Sequence, residues 1–515
     1  MRKTPVIRPF RALSAAAAVL AACLAVQPAA ADETGVQRPV ASDGTGTERP
    51  AAADESGTPG PVVVRPVSGL SPLPAGCGLP PADGYTLNPN TEVLPMLARD
   101  PRRPQRLVTV FQQDRWNRYG SNGAVAAVSD DYGLTWRRSE NLPAFSRCNG
   151  GTAANGGDYD VTTDHWVTVT PSGAAVAASL SMSRAGDVTA ILVARSGDGG
   201  RTWDAPVTLK RDDNPRFFND RPSVTADPYR PGVVYAVWDR VDDQSTSTTP
   251  NWVQPIYLAK STDDGRTWTT SKVYDVPANS GVIGTQLVPL PDGTLLIGMH
   301  HETVTDGATQ VIRSTDGGKT WSAPTLNVPA PLAVGPRIPD PDGSGDPIRN
   351  AALPLLAAQP GTKTVSAVWQ SQDADGTFHV AYSRSADGGK TWSSPIRVDK
   401  TPTGSAAVPV VAASRTGTVA ITYYDFRANT PDPATLPTDL WAVTCSSRCT
   451  DPGAWRERHI EGPFDSRRFP ATSVGRLIGD YTGLVSVGAA FTAVYGVTTG
   501  DPANPVDLHS AVFPG

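Results

Sequence analysis

The stretch Ser129-Asp130-Asp131-Tyr132-Gly133-Leu134-Thr135-Trp136 carries a pattern, Ser-x-Asp-x-Gly-x-x-Trp, that returns at Ser196 to Trp203, Ser261 to Trp268, Ser314 to Trp321 and Ser385 to Trp392. Successive copies begin 67, 65, 53 and 71 residues apart. Self-similarity at such a period marks an array of repeated supersecondary units. The octapeptide has the chemistry of a turn: Asp accepts from nearby backbone N–H groups, and Gly permits a positive φ. Trp supplies a large apolar plate for packing. These residues are expected to fasten hairpins and not to catalyse.

Working outward, each octapeptide follows an apolar strand, a short turn and a second apolar strand. Such pairs open at Glu92, His165, Arg221, Gln286, Asn350, Val408 and Tyr481, seven in all. The sixth unit has a degraded fastener near Cys445 to Trp455, and the seventh has none. Residues 85–515 then divide into units of about 62 residues, the size of a four-stranded antiparallel sheet with generous loops. The expected fold is all-β, a β-propeller of four-stranded antiparallel blades over residues 79–515, with seven blades favoured and six the alternative. The last unit shows three clear strands, near residues 482–488, 490–496 and 507–513, so a segment around 60–90 is expected to close the ring.

Composition agrees. The 515 residues include 48 Gly and 49 Pro, and only 18% are charged. That excess of turn formers fits many short strands and not a helical bundle. The net charge is -5. Arg2, Lys3, Arg8 and Arg11 precede the apolar run Ala12 to Val26 and the small residues Ala29-Ala30-Ala31, as in a secretory signal at 1–31. The remaining acidic body excludes nucleic acid as the expected partner, and no later apolar run approaches a membrane span. A secreted monomer is expected. Leu20-Ala21-Ala22-Cys23 also resembles a lipobox, so lipid anchoring at Cys23 is the alternative. Residues 32–78, rich in Pro, Gly and Ala, read as a disordered linker. Cys77, Cys148, Cys445 and Cys449 form an even set for an oxidising compartment. Cys445 with Cys449 closes one short loop, leaving Cys77 with Cys148. No metal or cofactor is expected.

The five octapeptides resemble the Asp-box, or BNR, repeat of sialidases and related secreted propellers. The resemblance covers roughly residues 85–515. It implies an exo-acting glycosidase with three arginines on a substrate carboxylate, a Tyr nucleophile with a Glu base, and an Asp acid/base. The Phe/Tyr-Arg-Ile-Pro motif of that family does not open the first blade; Arg337-Ile338-Pro339 lies before the fifth.

With fasteners joining third and fourth strands, polar residues entering first strands and leaving second strands should share one rim. They are Glu92, Asp114, Arg115, Asp160, Asp164, His165, Asp220, Arg221, Asp239, Arg240, His300, His301, Arg349, Tyr423, Tyr424, Asp425, Arg427, Asp480 and Tyr481. A rim of Arg, Asp and Tyr suits an anionic sugar, because guanidinium forks onto carboxylate. Arg221, Arg349 and Arg427 are the expected clamp, with Asp220, Arg115, His300 and Asp425 beside it. Tyr481 and Glu92 open neighbouring blades once the ring closes and are the expected nucleophile and base; Asp114 is the third catalytic candidate. The function expected is an exo-α-sialidase type of glycoside hydrolase. The alternatives are a non-catalytic glycan-binding propeller and a polysaccharide lyase using the His300-His301 pair.

Overall fold

The computed structural model describes residues 60–515 apart from 81, 83, 332–336, 342, 344, 352 and 433. The expected signal at 1–31 and Cys23 lie outside the described residues. Strands dominate, and the helical turns among the described residues are three short 3-10 turns at Arg147–Asn149, Pro452–Ala454 and Ser466–Arg468. No helix there is long and apolar enough to cross a membrane.

Seven four-stranded groups succeed one another among the described residues. The first is Leu87–Arg99, Leu107–Trp116, Ser121–Ser129 and Arg137–Arg138, each antiparallel to the next. The innermost strands of the seven are Leu87–Arg99, Val161–Val169, Phe217–Ala226, Ser280–Pro289, Leu355–Ala358, Ala406–Ala413 and Gly483–Val487. Each packs beside the next, and Gly483–Val487 lies beside Leu87–Arg99, so the ring closes. The middle strands are covered on both faces by neighbouring blades. Leu107–Trp116 and Ala175–Met182 are buried throughout; the second is built of small and apolar residues, and the first is apolar at its start and carries Gln112, Gln113, Asp114 and Arg115 toward its end.

The seventh group takes its outer strand from the other end of the chain. Val63–Pro66 pairs antiparallel with Asn504–Pro514. The linker expected over 32–78 therefore does not extend to 78. Val63–Pro66 contribute a strand, and the Val62 and Val64 side chains pack on the core. Cys77 is then tied to Cys148, and Cys445 to Cys449.

The octapeptides do what their chemistry requires. In the first, Gly133 N–H donates to Ser129 Oγ at 2.8 Å, and Thr135 donates to Asp131 through N–H at 2.8 Å and Oγ1 at 2.6 Å. The same bonds recur around Asp198, Asp263, Asp316 and Asp387. Each turn also reaches the preceding blade. A Cβ at Gly200 would come within 2.8 Å of Val108, and one at Gly389 within 2.7 Å of Leu296. In the sixth blade the Cys445–Cys449 disulfide stands in the fastener's place. Trp455 Nε1 donates to Cys449 O at 3.0 Å, and its ring meets Tyr382 of the fifth blade edge-on at 4.9 Å.

Candidate functional site at the channel mouth

Five innermost strands share a device near the end opposite the fasteners. Their pairing register slips between Val93 and Met96, Thr163 and Trp166, Asp220 and Ser223, Ile283 and Gln286, and Ala407 and Val410. At each slip one residue takes a left-handed backbone: Leu94 (φ 53°), Asp164 (52°), Arg221 (45°), Gly284 (66°) and Val408 (54°). Such a bulge re-aims a side chain, and a non-glycine residue there is strained by roughly 1–2 kcal/mol. In the second and third blades the re-aimed residue is charged. Asp164 and Arg221, with Trp166 and Tyr481, line the cavity at this mouth.

Two further charged residues come from connectors and not from blades. The chain between the fourth and fifth blades and the chain between the sixth and seventh form a small accessory sheet. Its strands are Arg337–Ile338, Ile348–Arg349, Ala471–Thr472 and Gly475–Leu477. Ile348 and Arg349 pair in parallel with Arg476 and Leu477, and Ile478 N–H donates to Arg349 O at 3.2 Å. This register sets Arg349 beside Asp480.

Three arginines thus surround one carboxylate. Arg221 Nη1 donates to Asp480 Oδ2 at 2.8 Å, and Arg349 Nη2 lies 3.7 Å from the same oxygen. The buried Arg115 is within electrostatic reach of Asp480, Asp164, Arg221 and Arg349. Asp220 lies beside Arg221, with its Oδ2 3.9 Å from Arg221 Nε. The site keeps unused bonding capacity: Arg115 Nε and Nη1, Arg221 Nε and Asp480 Oδ1 are buried without a hydrogen-bond partner among the described residues. Buried donors left this way cost about 1–3 kcal/mol each unless a ligand or water meets them.

Electrostatics divide the three carboxyls. Burial would raise Asp480, but the Arg221 and Arg349 guanidiniums outweigh it and hold its pKa at about 2. Burial pushes Asp220 up to about 7, against the pull of Arg221, although 21% of its side chain reaches solvent. Burial likewise raises Asp164, with Asp480 adding to the effect. Burial and the neighbouring Arg349 lower Arg115 to about 9, which leaves it charged at neutrality. The mouth therefore carries an excess of positive charge near pH 7. Tyr481 packs against Trp166 with ring centroids 5.5 Å apart and planes tilted by 57°. Its hydroxyl donates to His165 O at 3.2 Å, and burial followed by Asp164 raises its pKa well above the usual tyrosine value.

A family model described as BNR repeat-like domain matches residues 232–338, a stretch holding the third and fourth fasteners. The chain is a β-propeller with Asp-box turns, and over that stretch it is similar to the BNR repeat-like domain. No curated protein matches it. Among solved structures it is similar to a Dyadobacter fermentans protein of unknown function, at 14% identity and a TM-score of 0.42, covering 88% of this chain and 99% of that one. The NanB sialidase of Streptococcus pneumoniae gives 9% identity and a TM-score of 0.43, over 83% and 94%. An α-L-arabinofuranosidase from Fusarium graminearum gives 14% and 0.43, over 68% and 93%.

Several expected residues of this propeller lie elsewhere. Arg427 folds back onto its own blade, where it donates to Glu457 at 2.7 and 2.8 Å, contacts Asp425 and lies 3.9 Å from the Trp441 ring centroid. Asp425 is buried there and accepts from Thr401 Oγ1 at 2.9 Å. Arg115 takes the place expected for Arg427. Glu92 is not beside Tyr481: it turns toward the closing seam, accepting from Gln113 and from Ser68 Oγ at 3.2 Å. Burial, with Asp507 and Asp114 nearby, raises it well above the carboxylate range. Asp114 belongs to that seam too, accepting from Ser71 Oγ and Asn90 N–H at 2.9 Å each. His300 is buried within the fourth blade, 3.9 Å from Glu302 Oε2, and burial lowers it to about 3. The residues that the sequence reading underrated are Asp164 and Asp480. The first is marked only by the bulge, the second only by pairing between distant connectors.

Proposed function

We propose that the channel mouth binds and hydrolyses a glycoside whose terminal sugar carries a carboxylate. The observation that carries this reading is the convergence of Arg115, Arg221 and Arg349, from three separate parts of the chain, with guanidinium hydrogens unmet. An arginine fork recognises a carboxylate in two parallel bonds. Asp220, with a pKa of about 7 and part of its side chain open to solvent, is the proton donor for the leaving oxygen. Tyr481 is the nucleophile. Its proton passes to Asp164, which replaces Glu92 as base, and water then releases the sugar from the tyrosyl intermediate. The leader at 1–31 and the two disulfides support action outside the cytoplasm.

One observation favours the second reading, a glycan-binding propeller without turnover: the Tyr481 hydroxyl is buried and bonded to a main-chain oxygen. The lyase reading has less support, since His300 of the His300-His301 pair is enclosed in its blade and only His301 is partly exposed. The test is a panel of fluorogenic exo-glycosides, sialosides first, with uronides and neutral pentosides beside them. Release from an anionic glycoside alone is expected. Saturable binding of the sugar acid without release supports the second reading, and hydrolysis of neutral glycosides alone overturns both.

A further inference from the structure

Arg349 reaches the mouth on a very short support. The parallel pairing that carries it joins only Ile348 and Arg349 to Arg476 and Leu477. A one-residue slip in a pairing turns every side chain to the opposite face, and two residue pairs offer little to resist one. A slip here would take the Arg349 guanidinium away from Asp480. A second link joins the same two connectors. Arg467 forks onto Asp340, with Nη1 donating to Oδ2 at 2.5 Å and Nη2 to Oδ1 at 3.1 Å. Only 17% of the Arg467 side chain and 2% of the Asp340 side chain reach solvent.

Both ends of this fork are built in. Arg467 lies in the 3-10 turn Ser466–Arg468, where the Asp465 side chain accepts from Arg467 N–H at 3.0 Å and from Leu436 N–H at 2.9 Å. Ser466 N–H donates to Leu436 O at 3.0 Å, so the turn is fixed to the sixth blade. On the other connector, Gly345 lies against the pair: a Cβ there would come within 2.0 Å of both Arg467 Nη1 and Asp340 Oδ2. A Cβ at Gly475 would likewise meet Pro347 O at 2.2 Å. The outer link, Asp346 to Arg476 at 3.2 Å, is open to solvent and contributes little. Desolvation offsets the attraction within a buried pair, so the best-attested use of one is to fix a single register.

We infer that Asp340 and Arg467 are positioning residues: their fork locks the register of the accessory sheet and so holds Arg349 at the mouth. The part of Arg349 as a carboxylate ligand rests on the proposed function; its placement by the fork does not.

Titration calorimetry of the full chain with N-acetylneuraminate and glucuronate tests this, on Asp340→Asn, Arg349→Ala and the double variant, beside a crystal structure of Asp340→Asn. Asp340→Asn should weaken sugar-acid binding roughly tenfold, and the double variant should bind no more weakly than Arg349→Ala alone. In the crystal, Arg349 Nη2 should leave Asp480 Oδ2, from which it now lies 3.7 Å. Arg467→Lys keeps the charge and loses the fork; it takes the place of Asp340→Asn in every arm if that variant does not fold. A fork that served stability alone would lower Tm and leave affinity unchanged. The inference is overturned by that result, by losses that add in the double variant, or by Arg349 unmoved in the crystal. If neither sugar acid binds the unaltered protein, the proposed function fails, and the position of Arg349 in the crystal decides the inference.

Discussion

On the fastener face five turns repeat one set of bonds, Ser to Asp, Thr to Asp and Gly N–H to Ser, each within eight residues of sequence. At the channel mouth the contributors come from different kinds of structure. Asp164 and Arg221 sit on bulges, Arg349 on an accessory strand, and Asp480 131 residues further along the chain. The fastener face is local chemistry copied around a ring. The mouth is a single long-range assembly for which the ring serves as scaffold. Changes at the mouth should therefore remove function with little loss of stability, and changes at the fasteners the reverse.

The largest effect expected is at Asp220. Asp220→Asn should lower kcat by about 10²–10⁴-fold, the range for general acid catalysis, while the fold persists by circular dichroism. In the unaltered protein, activity should fall as pH rises through about 7, where Asp220 loses its proton. A pH profile unchanged in Asp220→Asn would dismiss it as the proton donor. Arg349→Ala should cost about 2–5 kcal/mol in kcat/KM on an anionic glycoside, the scale for unpairing a desolvated charge.

On the other face, Trp203 is 5% exposed, and Trp203→Ala should cost about 3–5 kcal/mol of stability by denaturant titration. Trp321 is less buried, so Trp321→Ala should cost less. Neither change should alter KM at a permissive temperature.

Smaller still, the faces should respond to pH with opposite signs. Hydrogen bonds to Asp263 and Asp387 outweigh the effect of burial and hold both at about 2. Their folded pKa is depressed, so their contribution is present above about 4 and lost as pH falls toward 2. Asp220 is raised to about 7. Folded protein then holds a proton that unfolded protein lacks between about pH 4 and 7, and stability falls as pH rises through that window. Chemical denaturation across pH should show both limbs. Asp387→Asn should weaken the acid limb and Asp220→Asn the other. Arg427→Ala, inside the sixth blade, should shift stability and leave ligand affinity unchanged.

This contrast explains what the sequence disclosed. Fasteners, strand pairs and the Cys445–Cys449 disulfide were legible because each is written in nearby residues; Cys77–Cys148 followed as the remaining pair, and the closing strand from a last unit with only three strands. The rim was legible as a set, since Arg115, Asp164, Arg221, Arg349, Asp480 and Tyr481 all flank the apolar runs of the sequence repeat. Which of them meet was not legible. Glu92 and Tyr481 open adjacent blades, yet the closing strand draws Glu92 into a seam with Ser68 and Gln113. Arg427 follows a second strand as the rim rule requires, but Glu457 on its own blade captures it. Bulge residues as different as Leu94, Gly284 and Val408 share no side-chain pattern that would reveal Asp164 and Arg221 as their equivalents.

A crystal structure with a bound sugar acid asks where the carboxylate lands. Its oxygens should lie within about 3.2 Å of at least two of the Arg115, Arg221 and Arg349 guanidiniums, with the glycosidic oxygen toward Asp220. A sugar held on another face, or seated at the mouth with its carboxylate turned to solvent, would show that the three arginines serve Asp480 alone.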